Sequence, residues 1–245
     1  MKKYLLITVM ALLFSLNAQA QQRGFTLAGG ISTMQLGELK SYQDLLIDRA
    51  PVEVKGLTYF PPFTHIRLGL FQRHNEQWKF AAHYSYTTSG AHGNYTDQSG
   101  YMDINQYLTT YQAGAAAYYS LFYKNFFEAM VYGQFLVGYS VNEVSRVVAT
   151  NTYYYQENSL KMNTLHPLGE AGIELLYHLE NYSFGLEGGY QYDLGGNFSV
   201  RENSRYNSEP LNPAGDLKSD LSGFRVGVKF VLVFNPDAFL EEVNP

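Results

Sequence analysis

Residues 169–194, GEAGIELLYHLENYSFGLEGGYQYDL, alternate apolar and polar side chains along their whole length. Gly169, Ala171, Ile173, Leu175, Tyr177 and Leu179 form one apolar series, and Tyr182, Phe184, Leu186, Gly188, Tyr190, Tyr192 and Leu194 form another. Between them fall Glu170, Gly172, Glu174 and His178, then Ser183, Gly185, Glu187, Gly189, Gln191 and Asp193. A period of two places successive side chains on opposite faces of a sheet, so this stretch reads as β-strand. The apolar parity flips at Glu180-Asn181, as an even-length turn requires if both strands are to share one apolar face. Two long strands joined by a tight hairpin are therefore expected.

The same test finds six further strands, at 25–34, 63–72, 78–88, 107–121, 126–141 and 223–234. In 78–88, for example, Trp78, Phe80, Ala82, Tyr84 and Tyr86 oppose Lys79, His83, Ser85 and Thr87. In 223–234, Phe224, Val226, Val228, Phe230, Leu232 and Phe234 oppose Arg225, Gly227 and Lys229. No charged residue falls on the apolar parity of any strand. Short links (73–77, 123–125, 180–181) alternate with long ones (35–62, 89–106, 142–164, 195–222), and the long ones read as loops. Eight strands are expected; using 52–59 and part of 142–164 would give ten.

Three features set the apolar parity against lipid. Its aromatics gather at the strand ends: Tyr119, Tyr177, Tyr182, Phe230 and Phe234 at one level, and Tyr84, Tyr86, Tyr139, Tyr190, Tyr192 and Phe224 at the other. Aliphatic residues such as Val131, Ile173, Leu186 and Val226 lie between them, as in an interfacial double girdle. The polar parity carries many glycines, which suit the crowded lumen of a narrow barrel better than a solvated surface. Several strands also match the roughly nine to eleven residues needed to cross a bilayer obliquely.

The chain opens MKKYLLITVMALLFSLNAQA, with a basic start, a short apolar core and the small-residue site Ala18-Gln19-Ala20. This reads as a cleaved signal peptide over 1–20, leaving 21–245 as one barrel domain. With no Cys anywhere in the chain, disulfides and thiolate metal sites are excluded. A net charge of −5 gives no sign of a nucleic-acid partner. The expected fold is all-β, an antiparallel up-and-down transmembrane β-barrel.

Signal peptide, girdles and alternating links together make the chain resemble the small outer-membrane β-barrels of Gram-negative bacteria, the OmpX-like barrels and the OmpA transmembrane domain. The tail 235–245 after Phe234 and the Tyr-rich loops look like the porin-family barrels of the Bacteroidota. The resemblance implies location in the cell outer membrane. It also implies membrane lipid, lipopolysaccharide and the barrel-assembly machinery as partners. It carries no active site.

On the lumen parity, Arg67, Lys79, Arg225 and Lys229 face Glu128, Glu170, Glu174, Glu187 and Asp193. Buried charges persist only when paired, so this balance reads first as an ion-paired plug and second as an ion path or an acid pair for catalysis. A two-residue turn at Glu180-Asn181 would set Glu174 opposite Glu187. Arg225 and Lys229, on either side of Gly227, would then cover both acids in a four-residue cluster. His83 and Ser85 share a face, but no third member can be placed beside them, so His83 reads as a satisfied lumen residue. His65 and His83 lack a third ligand for a metal. The Tyr153-Tyr154-Tyr155 run reads as external and suits recognition of an extracellular ligand whose identity is open. The expectation is a structural, adhesive or binding barrel, without enzymatic activity, cofactor or metal. A narrow porin for small solutes and a lipid-modifying enzyme are the alternatives.

Overall fold

The computed structural model describes residues 22–48, 55–56, 60–98, 100–124, 126–150, 154–205 and 217–234. The signal peptide expected over 1–20, the tail 235–245 and Tyr153 lie outside the described residues. Among the described residues ten strands and one helix follow in order: β1 (Gln22–Ser32), α1 (Gly37–Asp48), β2 (Lys55–Gly56), β3 (Phe63–Arg73), β4 (Trp78–Asp97), β5 (Gly100–Lys124), β6 (Phe127–Thr150), β7 (Tyr154–His178), β8 (Tyr182–Asp193), β9 (Ser199–Arg205) and β10 (Gly223–Val233).

Eight of the strands close a ring. β1 pairs with β3 and with β10, and β3-β4-β5-β6-β7-β8-β10 complete the circuit, every neighbour antiparallel. The two extra strands sit outside that ring. β2 adds two residues to β4, and β9 continues beside β7 above the end of β8. The ten-strand alternative is thereby set aside. Closure leaves the ring without an edge, so its backbone groups are paired among themselves, the condition for a sheet in hydrocarbon.

The connections at one end are tight. Asn75 Oδ1 accepts from the backbone N–H groups of Gln77 (2.9 Å) and Trp78 (2.8 Å), holding the β3–β4 turn. Leu179 N–H donates to the Tyr182 carbonyl at 2.8 Å, so Glu180-Asn181 is the two-residue turn and Glu174 stands opposite Glu187.

The long links differ from the loops expected of them. Residues 89–106 form a hairpin, the upper parts of β4 and β5 pairing from Ser89↔Leu108 to Asp97↔Gly100. Most of 142–164 is likewise strand, β6 pairing with β7 up to Thr150↔Tyr154. At 25 residues, β5 is roughly 80 Å long, far more than a bilayer requires. The link 35–62 contains α1, and 195–222 contains β9.

A change of solvent along the same strands accounts for the difference. In the lower part of β5 the outward residues are Tyr111, Ala113, Ala115, Ala117 and Tyr119, and the inward ones include Thr110 and Gln112. Higher up, the inward side carries buried Leu108, Ile104 and Met102, while Asn105 and Asp103 face out. β6 and β7 invert likewise: Val144, Val148, Leu160 and Met162 are buried inside, and Glu143 and Lys161 pair across the outer face. The apolar side faces outward where lipid surrounds the wall and inward where water does. Below the inversion Leu27, Ile66, Phe135, Ile173, Leu186, Val226 and Val228 all stand exposed, a continuous band that a water-soluble monomer would not present.

Candidate functional site

The lumen is built in three tiers. Near the tight turns, Arg73 on β3 meets Glu128 on β6 at 2.6 Å, and His178 Nε2 lies 3.0 Å from the same carboxylate. Above this, Lys79 Nζ on β4 lies 2.9 Å from Glu174 Oε1 on β7, and Lys229 on β10 bonds the other oxygen, Oε2. Lys229 also lies 3.5 Å from Glu187 on β8. The Tyr118 ring lies beneath both ammonium groups, at 4.4 and 4.9 Å, so its π face adds to their stabilisation.

Arg67, on β3, forks onto both oxygens of Glu170 at 3.0 and 2.9 Å, and reaches Glu187 at 3.3 Å with its other terminal nitrogen. The Tyr132 hydroxyl donates to Glu170 at 2.7 Å. Arg225 lies 3.3 Å from Glu170 and donates to Gln112 at 3.0 Å. Each of these ionised side chains is at most 5% exposed, so they pack this section of the barrel closely. Glycine makes the packing feasible: a Cβ on Gly172 would come within 2.7 Å of the Tyr132 ring, and one on Gly189 within 2.6 Å of its hydroxyl.

The four-residue cluster expected from the sequence is thus redistributed. Glu174, Glu187 and Lys229 come together, but Arg225 turns to Glu170, and Arg67 takes its place at Glu187. The cause lies in reach across the lumen. Arg67 and Lys79 reach from β3 and β4 to β7 and β8 on the opposite wall, a partnership that parity along single strands does not specify. His83 is bonded to Gln134 (3.0 Å) and Tyr118 (3.3 Å), while Ser85 donates to Gln112, so the two form no pair. Asp193 stands apart from the ionic tier, bonded to His166. Arg73 and His166 escaped the sequence reading because each lies beyond the strand bounds drawn there. Extending the polar parity two residues from Phe71, and four upward from Glu170, would have found them.

The third tier closes the upper mouth. α1 lays Leu39, Tyr42, Gln43 and Leu46 into the barrel, where they join Phe60, Phe63, Leu108, Leu136, Val144, Leu160, Met162 and Leu168. Leu217 and Leu221 belong to the same buried cluster. Leu36 enters the helix with φ 51°, a left-handed conformation that costs a β-carbon residue roughly 1–2 kcal/mol and is held here by complete burial. Among the described residues no group of three His, Asp or Glu side chains is arranged to hold a metal.

A closed eight-strand ring with a lipid-facing band and a filled polar interior defines the chain as a small transmembrane β-barrel. No protein-family model matches it, and no curated protein matches it in sequence. Three solved structures share the shape loosely. The attachment invasion locus protein Ail of Yersinia pestis is 12% identical, covering 86% of this chain and 95% of its own, with TM-score 0.42. Neisserial surface protein A is 10% identical over 87% and 97%, with TM-score 0.37. OprG from Pseudomonas aeruginosa is 16% identical over 87% and 93%, with TM-score 0.34. Values this low carry no inference about role.

Proposed function

We propose that this barrel is a closed one that presents an extracellular surface for structural, adhesive or binding duty, rather than a path for solutes. The observation that carries the reading is the continuous burial of the lumen, from the Arg73–Glu128 pair through the Arg67–Glu170–Glu187 section to the α1 cap. A charged side chain in so narrow a section must stay paired, and each pair ties one barrel wall to another. Strands β4 to β7 then serve as a stalk, carrying the Tyr101, Tyr107 and Tyr155 side chains into the medium on exposed outer positions. Tyrosines of that kind suit adaptable contact with a partner surface. In this reading 1–20 directs export and is removed, the assembly machinery inserts 21–245, and lipopolysaccharide surrounds the upper girdle.

Liposome swelling tests the proposal. Vesicles carrying the folded protein should swell in small sugars no faster than protein-free vesicles. Size-dependent swelling would favour the narrow-porin alternative.

A further inference from the structure

Above the ionic tier, the Ser140 hydroxyl on β6 lies 2.9 Å from His166 Nε2 on β7, and His166 Nδ1 lies 3.0 Å from Asp193 Oδ1 at the end of β8. Three strands thus bring a hydroxyl, an imidazole and a carboxylate into one line. An ionised carboxylate only accepts, so Nδ1 carries a proton, and in the neutral form of the ring, the form a general base requires, Nε2 is an acceptor. Ser140 then donates its own proton to Nε2, and Thr110, whose Oγ1 lies 2.8 Å from Ser140 Oγ, donates to Ser140. Asp193 is itself held by the Leu221 and Gly195 backbone N–H groups, both at 2.9 Å. Gly138, opposite His166, leaves the ring its place: a Cβ there would lie 2.8 Å from Nε2.

A second observation marks the place as more than a satisfied network. Thr164 Oγ1, on the residue directly across from Ser140, and Asn142 Nδ2, one strand repeat above it, are buried without hydrogen-bond partners. An unpartnered amide N–H beside a potential nucleophile is the kind of donor that stabilises a developing oxyanion.

We infer that Ser140, His166 and Asp193 form a nucleophile–base–positioning relay for acyl esters, reached from the extracellular mouth when α1 moves aside while the 217–222 segment stays to hold Asp193. Leu136 and Leu168 on the same walls supply an apolar surface for the acyl group. Ser140 Oγ bonds to the ester carbonyl carbon while its proton passes to His166 Nε2, and Asn142 receives the oxyanion. Collapse breaks the carbon–oxygen bond to the alcohol, which leaves with the proton from His166. Water then attacks the acyl-enzyme, giving its proton to the same nitrogen; the acid departs, and Ser140 regains its hydrogen.

The test is labelling of the folded protein in detergent micelles with an alkyl fluorophosphonate, followed by peptide mass spectrometry. The expected result is an adduct on Ser140 that forms faster in Leu46→Asp, where the cap is loosened. The adduct should be absent in Ser140→Ala and at least about a hundredfold slower in His166→Gln. Leu39→Ala replaces the first variant if Leu46→Asp gives no folded band. Folded wild type and loosened variant that both leave Ser140 unlabelled on prolonged exposure would overturn the inference. So would labelling of Ser140 no faster than of Ser85, or labelling indifferent to His166. None of these outcomes bears on whether the lumen conducts.

Discussion

Glu170 receives Arg67 through a two-bond fork, Arg225 through one longer contact and Tyr132 through a hydroxyl. The two arginines are therefore unequal. Arg67→Gln leaves Glu187 with Lys229 alone and Glu170 with its weaker cation, stranding buried negative charge. The expected loss is about 3–5 kcal/mol in urea unfolding from lipid vesicles. Arg225→Gln leaves the fork intact and should cost clearly less. Equal costs, or negligible ones, would mean that the section is wet and screened. At this scale the sequence was informative about sides and not about partners. Period two identifies Arg67, Glu170, Glu174, Glu187 and Lys229 as inward, but their pairing depends on which strands face each other across the ring.

Strand β6 contains both of the solvents that shaped the sequence. Phe135 and Val137 face lipid, and six residues beyond Val137 the same outward row holds Glu143. The inversion explains why eight strands could be found while the upper third of β4 to β7 read as loop. A search for one apolar parity loses the strand where the apolar side changes face. Helix α1 was lost for another reason: its inward residues Leu39, Tyr42 and Leu46 recur at i, i+3 and i+7, a helical spacing that a period-two search does not register. An arginine scan along the outer row of β6 gives the membrane boundary. Val131→Arg should destabilise by about 2–4 kcal/mol, and Ser145→Arg by no more than about 1 kcal/mol. Similar costs at both positions, measured by vesicle unfolding, would remove the boundary placed between them.

The whole molecule is a stalked barrel with two independent closures, the ionic section within the membrane and the apolar cap above it. Salt should open neither, since it screens exposed charge but leaves apolar packing in place and does not easily reach a sealed ion pair. Single-channel recording in planar bilayers tests the central claim of a closed lumen most directly. Wild-type protein inserted from detergent should give no steady conductance above the bare membrane, at low or high salt. A stable ohmic current from the folded wild type, persisting with α1 intact, would contradict the account.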